Sequence, residues 1–403
     1  MKILVVGLNY SPELTGIGKY TGEMAEWFAK QGHEVRVITA PPYYPQWFVS
    51  PPYKSYAYKI EVIKGVLVYR CPLYVPKNIT TMTRLIHLLS FAIFSFPILV
   101  RQLFWRPNIV INPVPSLFSS PMAALVARLS GGKSILHIQD YEIDAMLGLG
   151  MANVAVIGKL ARGFERLVMS SFDKVSTISQ SMINKAKDKG VAEKNIIFFP
   201  NWSDTSRFAN VSSSNELRAS LGVVGDNKLI LYSGNIGDKQ GLEQVIDAAE
   251  LLKGKPYDFV IVGDGAGREK LVSLATARKL KNVHFSSLLP LEQLPVLLAS
   301  ADCHLVIQKR GVADAVLPSK LTNIFAVGGN SVITAESDTE LGLLCEKFPE
   351  IAELVAPEDV NALVAGIERA LLSASPNHTA VNYARENIDS EKVLRSFELE
   401  LSD

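Results

Sequence analysis

A chain of 403 residues is too long for one ordinary core, and a make-up of 48% hydrophobic and 20% charged residues excludes disorder, collagen and coiled coil. Cys71, Cys303 and Cys345 stand far apart with no CxxC pair, which points to a reducing compartment and away from a cysteine-held metal. The net charge of +1 conceals a basic first half (22 Lys+Arg against 13 Asp+Glu over 1–205, so +9) and an acidic second half (19 against 27, so −8). The basic half is expected to face a phospholipid surface or a phosphorylated acceptor. No Lys/Arg block or zinc-finger spacing supports nucleic acid.

In chain order, Lys2–Tyr10 is a continuous apolar run of the kind buried on both faces of a parallel sheet. It lacks the longer apolar region and cleavage site of a signal peptide, so a cytoplasmic location is expected. The loop SPELTGIGKY leads to a helix ending near Gln31, and Glu34–Ala40 is the next strand. Gly16 and Gly18 stand at the helix start, where glycine lets a ligand approach the backbone. GIGKY is not GxGxxG, and no acidic residue closes the second strand, so NAD is poorly supported.

Pro41–Tyr58 holds seven of the 34 aromatics and five of the 21 prolines, which forbids a regular helix or central strand. Its Tyr43, Tyr44 and Trp47 are candidates to stack on sugar rings or enter a lipid interface. Leu85–Val100 is nearly all apolar but short for a membrane span, and His87 and Pro97 count against one. It reads as a buried or interfacial helix, with Arg84, Arg101 and Arg106 suited to anionic headgroups. Lys133–Asp140 is a strand delivering HIQDYEIDA at its C-terminal end, the active edge of an open α/β sheet. His137 and Gln139 share a face there, and Asp140 stands where a catalytic or orienting carboxylate would.

FPNWSD (Phe199–Asp204) reads as an exit into a linker, and Lys228–Asn235 opens a second βαβ series. Three stretches follow strands in that half: Ser233–Gly241, Gly263–Arg268 and Arg310–Asn330. In a doubly wound sheet they share one crevice, with Gly234, Asn235, Gly263 and Gly265 as nucleotide-binding positions. Lys239, Arg268, Arg310 and Lys320 would be its cations, and Ser319 the N-cap of the last helix, which suits a nucleoside diphosphate. No Walker A motif occurs. Three segments are expected: 1–205, 206–375, and C-terminal helices over 376–403 that pack back on the first domain.

SPELTGIGKYTGEMAEWFAKQGHEVRVITAPP, FPNWSD, YSGNIGDKQGLEQVIDAA, VGDGAGREKL and LPSKLTNIFAVGG together resemble the retaining glycosyltransferases of family 4. The resemblance spans essentially the whole chain. It implies the GT-B fold, an α/β architecture of two Rossmann-like domains with a cleft between them. It implies transfer of a sugar from a nucleotide sugar, GDP- or UDP-linked, without metal or cofactor. HIQDYEIDAMLGLG and IQKRGVADAVLPSKLTN resemble exopolysaccharide enzymes within that family, which implies GDP-fucose as donor. The acceptor would be a polyprenyl-diphosphate-linked saccharide at the cytoplasmic membrane face.

By the same resemblance Gly16, Lys239, Ser319 and Lys320 contact the donor diphosphate, joined by Arg310, while Asp140 and His137 serve the acceptor hydroxyl. The sequence departs from the family at Asn235 and Gln240, where basic residues are usual. It also departs at Asn323, where the second carboxylate of a Glu pair is usual. Asp314 is then the candidate sugar-binding carboxylate, with Asn323 beside it. The alternatives are a nucleotide-sugar-binding protein or an epimerase, and the Tyr-x3-Lys pair of the latter is missing.

Overall fold

The computed structural model describes residues 1–13, 16–141, 155–311 and 317–402. The chain forms two compact units, Met1–Phe199 with Phe397–Asp403, and Pro200–Ser396.

The first unit is built on β1 (Lys2–Val6), β2 (Glu34–Thr39), β3 (Lys59–Ile63), β4 (Val66–Arg70), β5 (Ile109–Val114), β6 (Lys133–Ile138), β7 (Lys174–Thr177) and β8 (Ile196–Phe198). They form one sheet in the order β3-β4-β2-β1-β5-β6-β7-β8. Every pairing is parallel except β3 with β4. Val5 lies opposite both Val37 and Ile111, and Ile3 to Val6 are fully buried, as a central parallel strand demands. The β3–β4 hairpin carries none of the sequence motifs. Its turn is Lys64-Gly65, both at positive φ (48° and 85°), which matches the twist of a two-residue hairpin. β3 is an edge strand that leaves Ile60 and Val62 exposed.

Two helices matter for the site. α1 (Gly16–Lys30) follows β1 and buries Tyr20, Met24 and Phe28. α2 (Thr81–Trp105) is longer than the apolar run suggested. It begins at a Thr80–Thr83 capping box and ends at Arg106 in the left-handed region. Its inner face buries His87, Leu88, Phe91, Leu99 and Trp105. Its outer face exposes Met82, Ile86, Leu89, Ile93, Phe96, Val100 and Phe104. Pro97 lies on that exposed side, where the carbonyl of Ile93 loses its donor. By length and composition α2 is apolar enough to cross a membrane, and only 28% of its most apolar window is buried.

The second unit is built on β9 (Lys228–Ser233), β10 (Tyr257–Val262), β11 (Val283–Ser286), β12 (Cys303–Val306), β13 (Ser331–Thr334) and β14 (Glu353–Val355). Their order is β11-β10-β9-β12-β13-β14, all parallel. Alternate strand residues feed two cores: Leu229, Leu231 and Val260 on one face, Ile230, Tyr232 and Phe259 on the other.

Residues 200–205 belong to this unit. The Ser203 N–H donates to Ile388 O (2.8 Å), the Ser390 N–H returns a bond to Ser203 O (2.9 Å), and Trp202 is buried. The end of the chain belongs to the first unit. Phe397 stacks on Phe199 with ring centroids 3.8 Å apart, and Glu398 meets His33 Nε2 at 2.5 Å.

Candidate functional site

The candidate residues gather at the C-terminal edge of each sheet, where a parallel sheet leaves its loops and helix N-termini.

In the first unit this edge encloses a cavity of about 250 Å³. Gly16, Tyr43, Tyr44, Trp47, Arg84 and Asp140 line it, so six of the sequence candidates meet there. His87 also lines it. Gly16 has φ +59°, and a Cβ built on it meets nothing within 4 Å. Backbone conformation therefore requires the glycine, and the space beside it stays open to a ligand. Asp140 is exposed just past β6. Arg101 is exposed on α2, outside the cavity lining.

His137 is placed differently. It lies in the buried interior of β6, where its Nδ1–H donates to Ser176 Oγ (2.9 Å) and its Nε2 accepts from the Gln139 amide (3.1 Å). Its ring packs on Phe199. Burial pushes its pKa down to about 3, so it is a neutral, doubly bonded core histidine that does not line the cavity.

Two buried charged groups that were not among the sequence candidates brace the loops around this cavity. The Glu13 carboxylate accepts from the Asn9 amide (2.9 Å) and from the backbone N–H groups of Tyr43 and Tyr44 (3.1 Å each). Burial, its dominant influence, raises its pKa, and these bonds oppose the rise. A Cβ on Gly18 would come within 2.6 Å of Glu13 Oε2, so that glycine makes room for the brace. Arg70, fully buried at the end of β4, donates to Glu61 (2.6 Å), Ala40 O (2.9 Å) and Ser11 O (2.5 Å). It ties the loops after β1 and β2 together. The reason sequence reading passed over both is that their partners are distant in the chain.

In the second unit the edge is a tight junction of glycine loops. The Gly234 N–H donates to Val262 O, Ile236 N–H to Asp264 O and Gly267 N–H to Ile236 O. A Cβ on Gly263 would lie 1.9 Å from Gly234 O, and one on Gly265 would lie 2.3 Å from Ile236 O. These two glycines are therefore needed for packing of loop on loop. Asn235 presents its carbonyl to the Tyr232 hydroxyl (2.6 Å). Lys239 falls in a short 3-10 turn, Asp238–Gln240, and its side chain lies outside the described residues.

Lys320 occupies the first turn of helix Ser319–Val327, and its Nζ sits over the Tyr232 ring at 4.0 Å, beside Gly234. The stem is partly exposed, but Nζ is buried and has no hydrogen-bond partner among the described residues. Burial pushes its pKa down to about 7. A buried lysine nitrogen in the first turn of a helix is suited to hold an anion. Ser319 was expected as the N-cap. The cap is Pro318, and Ser319 is the first helical residue, because extended backbone at Pro318 already turns the chain into the helix. Asn323 Oδ1 accepts from Ser203 Oγ (2.8 Å), one turn after Lys320. Arg310 pairs with Glu336 (3.5 Å) and donates to Pro357 O (3.3 Å). Asp314 lies outside the described residues.

Comparison with known proteins gives the same division. Residues 15–202 match the glycosyl transferase 4-like domain, and residues 213–387 match the glycosyl transferases group 1 family. The chain is 58% identical over 402 residues to an Escherichia coli (strain K12) protein assigned as the colanic acid biosynthesis glycosyl transferase WcaI, covering 98% of each chain. Among solved structures it resembles sucrose-phosphate synthase from Thermosynechococcus elongatus (TM-score 0.73, 14% identity, 99% and 98% of the chains). It also resembles Anabaena HepE in complex with UDP-glucose (TM-score 0.68, 13% identity, 99% of both chains). At such identities the structural likeness speaks for the fold, and the fold is GT-B.

Proposed function

Because the chain belongs to the group 1 glycosyltransferase family and is a glycosyltransferase, we propose that it transfers fucose from GDP-fucose to a polyprenyl-diphosphate-linked saccharide, with retention, in exopolysaccharide assembly of the colanic acid type. The observation that carries the donor side is the buried Lys320 ammonium, which has no hydrogen-bond partner among the described residues. It sits beside Gly234 in the glycine loop after β9, in the first turn of helix Ser319–Val327. A cation and oriented N–H groups stabilise a departing diphosphate electrostatically. The likeness to WcaI, whose name places it in colanic acid biosynthesis, supports the pathway. HepE, solved with UDP-glucose, supports a nucleotide sugar as donor class.

On the acceptor side, the reading is that the cavity of the first unit takes the acceptor sugar, with Asp140 orienting or deprotonating its hydroxyl. Arg84 would meet the phosphates. The exposed apolar face of α2 would lie on the cytoplasmic face of the cell membrane, with Arg84 and Arg101 toward anionic headgroups. The chain then acts as a peripheral enzyme. The test is incubation with a panel of nucleotide sugars and membrane-extracted lipid-linked saccharide, with mass analysis of the product. Transfer of fucose from GDP-fucose, lost in Lys320→Ala, is the expected result. Transfer from a different nucleotide sugar would overturn the donor assignment, and no transfer from any would overturn the reading.

A further inference from the structure

α2 carries one group that the cavity and the motifs leave unused. His87 is buried on the inner face of α2, and its Nδ1 lies 2.6 Å from the carbonyl oxygen of Tyr74. A carbonyl only accepts, so Nδ1 carries the proton and Nε2 presents a lone pair. That Nε2 is buried and has no hydrogen-bond partner among the described residues. The ring cannot turn to relieve it: Tyr43 packs edge-on at 4.8 Å, Trp47 tilts against it at 5.1 Å, and the Tyr74 bond fixes the third direction. Leaving a buried acceptor unpaired costs about 1–3 kcal/mol. Trp47 adds a second cost, since its φ of +53° puts a bulky side chain in the left-handed region. Both costs fall on residues that line the 250 Å³ cavity together with Gly16 and Asp140. A cavity of that size is below the roughly 300 Å³ at which drug-sized pockets begin and suits a single sugar ring.

We propose that His87 is a specificity-determining residue: its Nε2 accepts a hydrogen bond from a hydroxyl of an acceptor monosaccharide unit seated against Tyr43 and Trp47. This rests on the reading that the cavity takes the acceptor, and it adds which group reads the sugar. Arg84 offers only donors and Asp140 only charge-bearing acceptor oxygens. His87 supplies a buried, neutral acceptor held in one orientation, which selects a hydroxyl over a deoxy position. A site built around such a bond rejects the analogue lacking the hydroxyl, because the nitrogen is then left unpaired again.

The test uses the full chain, selectively labelled with ¹⁵N-histidine, and a panel of methyl glycosides and their monodeoxy analogues as probes. His87→Phe keeps the aromatic contacts and removes both ring nitrogens; His87→Gln restores an acceptor near the Nε2 position; Trp47→Ala removes the platform. The expected result is a glycoside that moves the His87 Nε2 resonance toward its hydrogen-bonded position. Its affinity falls about tenfold in His87→Phe, equivalent to one ordinary hydrogen bond, recovers in part in His87→Gln, and falls in Trp47→Ala. Weakening by Trp47→Ala with no change in His87→Phe and no movement of the Nε2 resonance would overturn the role of His87 and leave the cavity reading standing. Binding of no glycoside, or binding indifferent to all three substitutions, would overturn both.

Discussion

Lys320→Met is expected to make the ligand-free protein more stable while removing its response to nucleoside diphosphates. Burial moves the Lys320 pKa from 10.5 to about 7. At about 1.4 kcal/mol per pH unit, that fall represents at most about 5 kcal/mol of folding free energy. Interiors respond to charge more strongly than a dry medium does, and the Tyr232 face returns about 1 kcal/mol or more, so a gain of about 1–3 kcal/mol is expected on substitution. The sign follows from proton counting. Between about pH 7 and 10.5 the unfolded lysine holds a proton that the folded one does not, so stability rises with pH across that window. Below about pH 7 the penalty is full. The gain from Lys320→Met is therefore largest near pH 6.5 and fades toward pH 10. For a unit of this size, 1 kcal/mol corresponds to about 2–4 °C in Tm. Thermal melting of the two proteins at pH 6.5 and 9.5, with and without GDP or UDP, reads all of this. A diphosphate at about 100 times its Kd adds about 2.7 kcal/mol to the parent protein and nothing to the variant. A lower Tm in Lys320→Met at pH 6.5, or an equal diphosphate shift in both, would refute the reasoning.

Asp140→Asn, at the mouth of the first-unit cavity, is expected to lower kcat by about 10²–10⁴ and leave the Kd for nucleoside diphosphate unchanged, as steady-state kinetics and calorimetry would read. Gly263→Ala sets a Cβ against a backbone carbonyl that cannot move aside; a loss of about 2–4 kcal/mol is expected in urea unfolding, and a loss under 1 kcal/mol would contradict the packing role. Ile93→Glu with Phe104→Glu alters only the exposed face of α2. Melting should change little, within about 0.5 kcal/mol per site, while flotation with anionic vesicles should fail; undiminished flotation would remove α2 from the membrane reading.

Much of this molecule is written in short windows of its sequence. The apolar runs at Lys2–Val6, Lys228–Ser233 and Tyr257–Val262 are strands because nothing else buries a continuous apolar segment on both faces of a parallel sheet. The glycines at 16, 234, 263 and 265 announce loops because their positive φ is a local signal that favours glycine. Those two signals suffice for two α/β units and for the edges where their sites lie. The β3–β4 hairpin was missed because β3 is a half-exposed edge strand whose pairing is settled by its partner.

What only the tertiary structure decided is the state of each polar group. His137 and His87 are both histidines among apolar residues in the chain. Folding gives the first two hydrogen bonds and leaves the second one short, through Ser176, Gln139 and Tyr74. Lys320 is one lysine in a helix until burial over Tyr232 strips its water and leaves it without a hydrogen-bond partner among the described residues. Pairing, desolvation and pKa depend on neighbours that are distant along the chain, and no local pattern of residues encodes them.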